Sequence, residues 1–280
     1  MALRTLIVAT ALGALFVAGC ATASSDDPAV SPGAGSTGNT LAVEVLDGEA
    51  APDTETDVGA VLPSDDSAAV EGDVPSVDYT VVAQATVPDV IVRIGPDDGS
   101  ESVAALTNPL PSGAPLVFRA IDGGATSTEW IEVHLPIKPN GSTGWVRRSE
   151  MSLSDNPYRI EIERASYSLR VFNLDEVWLE TTIAVGTGDT PTPVGDFYLL
   201  ELLAPPNPDG DYGPYAFGLS GFSEVLDGFG GSDDAIIGLH GTNDPASIGT
   251  DVSHGCIRLE NSVIEELAAT LPLGTPVRIV

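Results

Sequence analysis

The chain has 280 residues, with 41 Asp and Glu against 11 Lys and Arg, for a formal charge of −30. Such an excess of negative charge excludes nucleic acid as a partner and suits an exported protein. No Lys or Arg occurs from residue 5 to residue 92, so the charged side chains of that stretch are all acidic.

Residues 1–20, "MALRTLIVATALGALFVAGC", place one basic residue, Arg4, before an apolar run that ends in small residues. That is the layout of a secretion signal, and the run is too short and too lightly flanked for a spanning helix. The final "VAGC" resembles the bacterial lipobox, which implies cleavage before Cys20 and a lipid on its thiol. An ordinary signal peptide ending near Ala23 is the alternative. With Cys20 lipidated, Cys256 has no partner for a disulfide, and a lone cysteine outside the cell is either a small core residue or a reactive one. Residues 21–77 are acidic and rich in Ala, Gly, Pro and Ser, without sustained helical or strand periodicity. They read as a disordered, self-repelling spacer that holds the rest away from the bilayer.

About 200 residues follow, enough for one large or two small domains with real cores. From 78 to 151 the text is short strands, "YTVVAQAT", "VIVRIG", "APLVFRAID", "EWIEVHL" and "TGWVRRSE", punctuated by "GPDDGS", "NPLPSG" and "KPNGSTG". That pattern predicts a small β-barrel or sandwich, with Trp130 and Trp145 as core aromatics and His134 at the surface or rim. The ending "GWVRRSEM" resembles the closing strand of bacterial SH3-like domains.

From 157 to 280 strands dominate again: "YRIEIER", "SLRVFN", "VWLETTIAVG", "GDFYLLELL", "YAFGLSG", "AIIGLHG" and "CIRLE". One segment reads as a helix. With Asn261 as N-cap, "SVIEELAATL" puts Val263, Ile264, Leu267, Ala268 and Leu271 on one face before "PLGTPVRIV" ends it. The fold class is mainly β, with a small SH3-like barrel followed by a β-rich domain holding one clear helix.

Chemistry concentrates in "DVSHGCIRLEN", residues 251–261. A thiol attacks as thiolate, which needs a base or a positive charge beside it. His240 and His254 are the candidates. His254 lies two residues before Cys256, so on an extended strand the two would share a face, and either histidine could reach the sulfur. A zinc site from His240, His254 and Cys256 with Asp251 or Asp244 is conceivable, but His-x-Cys is not a usual chelating spacing. No cofactor and no metal are expected.

The segment "IIGLHGTNDPASIGTDVSHGCIRLENSVIEELAATLPLGTPVRIV" resembles the end of the catalytic domain of L,D-transpeptidases, the YkuD-like family that remodels peptidoglycan. The likeness rests on His240-Gly241, on Ser253-His254-Gly255-Cys256-Ile257-Arg258, and on the turn Thr192-Pro193-Val194-Gly195-Asp196-Phe197 upstream. It implies that Cys256 is the nucleophile and His240 the base, with the Gly241 carbonyl orienting the ring. It also implies that His254 positions substrate, with the N–H groups of Gly255 and Cys256 at the oxyanion site. Some members have Asn where Arg258 stands, and Arg258 is expected to bind a substrate carboxylate or to form an ion pair. Ser253 either bonds locally or contacts substrate.

The resemblance further implies peptidoglycan stem peptides as partners, 3-3 cross-linking through a thioester, and the cell envelope as location. Water or a protein amine as acceptor would give a carboxypeptidase or a protein-to-wall ligase. Segments 206–217 and 220–234, long in Gly, Pro and Asp, are expected to form a lid over the cleft. Two other readings are a non-catalytic wall-binding lipoprotein and a papain-like wall endopeptidase. The latter carries Cys before His along the chain, opposite to the order here.

Overall fold

A computed structural model describes residues 79–124, 129–228 and 234–280. The leader, Cys20 and the whole of the expected spacer lie outside them. Among the described residues no helix is long and apolar enough to cross a membrane.

The N-terminal module contains β1 (Thr80–Ala85), β2 (Asp89–Arg93), β3 (Ser102–Thr107), β4 (Val117–Arg119), β5 (Trp130–His134), β6 (Thr143–Arg147) and β7 (Met151–Asn156). Antiparallel pairing gives a three-stranded sheet, β4-β1-β7, and a four-stranded one, β3-β2-β6-β5. Alternation does the sorting: Ile131 and Val133 of β5 and Val146 of β6 point inward with Val90, Val92 and Phe118. Trp145 falls on the opposite phase of β6 and is half-buried outside this core, a correction to its expected place. Trp130 is buried, yet it too lies outside the core cluster, with the Arg147 guanidinium 4.6 Å from its ring centre. Strands β3 and β7 lie outside the runs that the sequence pattern marks as strands.

The second module opens with β8 (Tyr158–Glu163), β9 (Ser168–Asn173), β10 (Glu176–Thr182) and β11 (Val185–Gly186). It continues through β12 (Gly195–Leu203), β13 (Ala216–Phe222), β14 (Ile236–His240), β15 (Asp251–Ser253), β16 (Ile257–Arg258), the helix α1 (Asn261–Thr270) and β17 (Pro276–Ile279). Eight strands form one sheet in the order β10-β9-β8-β17-β12-β13-β14-β16, while β11 and β15 pair separately in parallel. The fold is mostly β, and α1 is the one α-helix among the described residues. Ile264 and Leu267 of α1 sink into the sheet's core, which explains its apolar face. Its N-cap is Glu260, not Asn261, and that cap makes no side-chain hydrogen bond.

The two modules share buried surface. Tyr198 and Leu200 of β12 pack with Val82 and Val117, and the Tyr198 hydroxyl donates to the His134 carbonyl at 3.4 Å. Asn140 clasps Phe222 with two bonds, its amide donating to the carbonyl at 2.8 Å and its oxygen accepting from the N–H at 2.9 Å. His134 is therefore not a plain surface residue. It is half-buried at this junction, its Nε2 2.6 Å from the Arg119 guanidinium.

Candidate active site

Cys256 sits in the turn between β15 and β16, and Ser253 holds that turn together. The buried Ser253 hydroxyl donates to the Cys256 carbonyl at 2.5 Å and accepts from the Gly255 N–H at 3.1 Å. Gly255 has φ +113, a conformation that L side chains rarely adopt, and a Cβ there would come within 3.1 Å of Ile237 Cδ1. The extended strand expected to carry His254 and Cys256 together is thus broken at Gly255. His254 is exposed, whereas Cys256 is turned half inward.

The sulfur meets β14 at Gly238. The Gly238 N–H donates to Cys256 Sγ at 3.3 Å, and a Cβ built on Gly238 would lie 3.6 Å from that sulfur and 3.5 Å from His240 Cδ2. Thiol and imidazole thus border the same point of the strand, each at ordinary contact distance from it. His240 is only 4% exposed. Its Nδ1 lies 2.6 Å from the Gly241 carbonyl oxygen, which can only accept, so Nδ1 carries the proton and Nε2 keeps its lone pair. The Tyr212 ring tilts over the imidazole with centroids 4.8 Å apart.

Electrostatics favour a neutral pair. Burial pushes the His240 imidazole down to about 4, against the Gly241 hydrogen bond, and the Arg258 charge pushes the same way. Burial also raises the Cys256 thiol, while the Gly238 N–H and Arg258 oppose the rise. The Arg258 backbone bridges Ala184 at 2.9 and 3.0 Å, and its Nε is buried with no hydrogen-bond partner among the described residues. None of the ion pairs among those residues includes Arg258.

The surrounding loops are tied to this turn. The Thr187 N–H and the Thr190 hydroxyl both donate to the Ser253 carbonyl, at 3.0 and 3.2 Å, and the buried Thr192 hydroxyl accepts from the Gly186 N–H at 2.9 Å. On the other side, Asn261 Oδ1 accepts from the Thr242 N–H at 2.8 Å, close to Gly241 and Gly213. The lid expectation needs trimming, because 216–222 is the core strand β13. What overlies His240 is the turn carrying Tyr212, and 229–233 fall outside the described residues. Gly238, Tyr212, Thr190 and Asn261 were not singled out as site residues from sequence. For Gly238 a signal existed, a glycine interrupting the apolar strand "AIIGLHG". Among the described residues no three His, Cys, Asp or Glu side chains are grouped to hold a metal ion.

The family model of the YkuD L,D-transpeptidase catalytic domain matches residues 157–279. Over 123 residues the chain is 39% identical to YkuD of Bacillus licheniformis, a match spanning 44% of this chain and 66% of that protein. Over 140 residues it is 31% identical to YqjB of Bacillus subtilis, spanning 46% of this chain and 74% of that protein. The solved catalytic domain of the Enterococcus faecium L,D-transpeptidase is 25% identical, with 44% of this chain and 96% of that chain covered and a TM-score of 0.32.

Proposed function

The chain belongs to the L,D-transpeptidase family of the YkuD type, and from that premise we propose that it forms 3-3 cross-links between peptidoglycan stem peptides through a thioester on Cys256. Nothing outside the cell supplies nucleoside triphosphate, so the energy of the broken amide has to be kept in a covalent intermediate. In the first step His240 Nε2 takes the thiol proton as Sγ attacks the carbonyl of the third-position diamino acid in a tetrapeptide stem. The C–N bond to the terminal D-Ala breaks, and the proton goes to that departing amine. In the second step a side-chain amine of a neighbouring stem attacks the thioester, a new amide forms, and the thiol is regenerated.

The observation that carries this reading is the pairing across Gly238: a sulfur held by the Gly238 N–H beside an imidazole whose Nδ1–H is fixed by the Gly241 carbonyl. Gly255 spends its N–H on Ser253, which leaves the Cys256 N–H as the donor proposed for the developing oxyanion. Ser253, buried and bonded to both Cys256 and Gly255, positions the turn. Arg258, without an ion-pair partner among the described residues and with its charge acting on both Cys256 and His240, binds the substrate carboxylate. His254, exposed two residues before the cysteine in the chain, contacts the incoming stem. The N-terminal module, residues 78–151 and SH3-like in reading, would hold the catalytic module, residues 157–280, at the wall. Cys20 would carry the lipid of an extracytoplasmic lipoprotein, with 21–77 as its spacer.

Mass spectrometry of the full chain mixed with a disaccharide-tetrapeptide tests the reaction. A protein adduct that disappears in Cys256→Ala, together with free D-Ala and a dimeric muropeptide, is expected. D-Ala with only tripeptide monomer would make water the acceptor. Binding with neither adduct nor product would leave a wall-binding lipoprotein.

A further inference from the structure

We infer that Asn261 is the positioning residue of the catalytic base, a role that rests on His240 being that base. The inference comes from one peptide group held at both ends. The carbonyl of the Gly241–Thr242 peptide accepts the His240 Nδ1–H at 2.6 Å, and the N–H of the same peptide donates to Asn261 Oδ1 at 2.8 Å. Rotating that plane would break both bonds together. While it is held, the carbonyl is aimed at Nδ1, and the proton stays there and off Nε2. Donation from the N–H also polarises the carbonyl and strengthens its grip on the ring.

The neighbourhood is shaped to admit this amide. A Cβ on either Gly213 or Gly241 would stand 2.4 Å from Asn261 Oδ1. Glycine at both positions is therefore what lets the oxygen reach the Thr242 N–H. Asn261 is also not occupied with its own helix. Glu260 is the N-cap, and Asn261, as the first residue of α1, sends its side-chain oxygen outward to the loop after β14. The first turn of α1, which follows β16 and the Cys256 turn in the chain, is thus connected to the tautomer of His240.

Full-chain protein and its Asn261→Asp, Asn261→Leu and Asn261→Ser variants, labelled with 15N histidine, would be compared by long-range 1H–15N spectra, turnover on a disaccharide-tetrapeptide, and thermal melting. His240→Gln identifies the resonance. Wild type and Asn261→Asp, which keeps an acceptor oxygen, are expected to hold the Nδ1–H tautomer. Asn261→Leu and Asn261→Ser, the latter too short to reach, are expected to show a mixed tautomer, with kcat down roughly ten- to a hundredfold and KM within about twofold. If both keep the tautomer and kcat while only the melting temperature falls, Asn261 is a packing residue and the inference is overturned. Should Asn261→Leu fail to fold, Asn261→Ser carries the same readouts without adding an apolar group. Absence of turnover in wild type would sink the L,D-transpeptidase reading, and the tautomer comparison would still decide the role of Asn261.

Discussion

Burial works against both charged forms at the reacting centre, lifting the Cys256 thiol and pushing His240 down to about 4. At pH 7 the resting pair is thiol and neutral imidazole, so in the proposed reaction proton transfer accompanies the attack. Alkylation of Cys256 by iodoacetamide, followed by mass spectrometry, is accordingly expected to be slow at pH 7 and to rise into the alkaline range. In Arg258→Gln the charge that favours thiolate is gone, and the alkylation curve should move to higher pH; an unmoved curve would remove Arg258 from the site's electrostatics. Ser253 makes a different kind of contribution. Ser253→Ala strands a carbonyl and an N–H in the buried turn, which should cost about 1–3 kcal/mol in a denaturant titration and lower turnover with it, because both bonds set the path of the chain on either side of the sulfur.

At the level of elements, glycine spacing decides whether the loops can close on the site. Gly241→Ala would drive a methyl against Asn261 Oδ1 at 2.4 Å and the Gly213 backbone at 3.1 Å. Gly188, in the loop that also serves the catalytic turn, has nothing within 4 Å of a Cβ. Gly241→Ala is expected to lower kcat/KM at least about tenfold, while Gly188→Ala stays within about 0.5 kcal/mol of wild type in stability; equal effects would deny the crowding. The same elements mark what was legible in the sequence. Strand β12 is the quoted run "GDFYLLELL" from Gly195 to Leu203, and the apolar face of α1 follows its spacing, because each announces itself by local periodicity. Strand β15 is three residues long and exists through parallel pairing with β11, more than sixty residues earlier, which no local pattern encodes. Alternation misplaced His254 relative to Cys256 because Gly255 resets the phase with a positive φ. Asn261 read as a cap because its residue type caps helices, but its oxygen is claimed by the Thr242 N–H across the chain.

For the whole molecule, the junction couples the N-terminal module to the catalytic sheet. Tyr198 of β12 is fully buried there among Val82, Val117 and Leu200, so Tyr198→Ala should cost about 3 kcal/mol or more. The junction also makes stability depend on pH. Burial and the adjacent Arg119 guanidinium push His134 from its ordinary 6.5 to about 4, with Asp196 opposing. An unfolded chain therefore binds a proton at His134 that the folded one refuses between those two values. The stabilisation is fully present above pH 6.5 and is lost as pH falls towards 4, and buried His240 adds a dependence of the same sign. Protonating the many carboxylates relieves the self-repulsion of a chain at −30 over part of this range, which acts in the opposite direction. The wild-type melting curve alone mixes these effects, but its difference from His134→Gln cancels the common background. The glutamine oxygen can still accept from Arg119 and carries no titrating proton. The gap between the two melting temperatures should change steadily in favour of His134→Gln as pH drops from 6.5 to 4; a constant gap would mean that His134 protonates freely and that the junction does not exclude its charge.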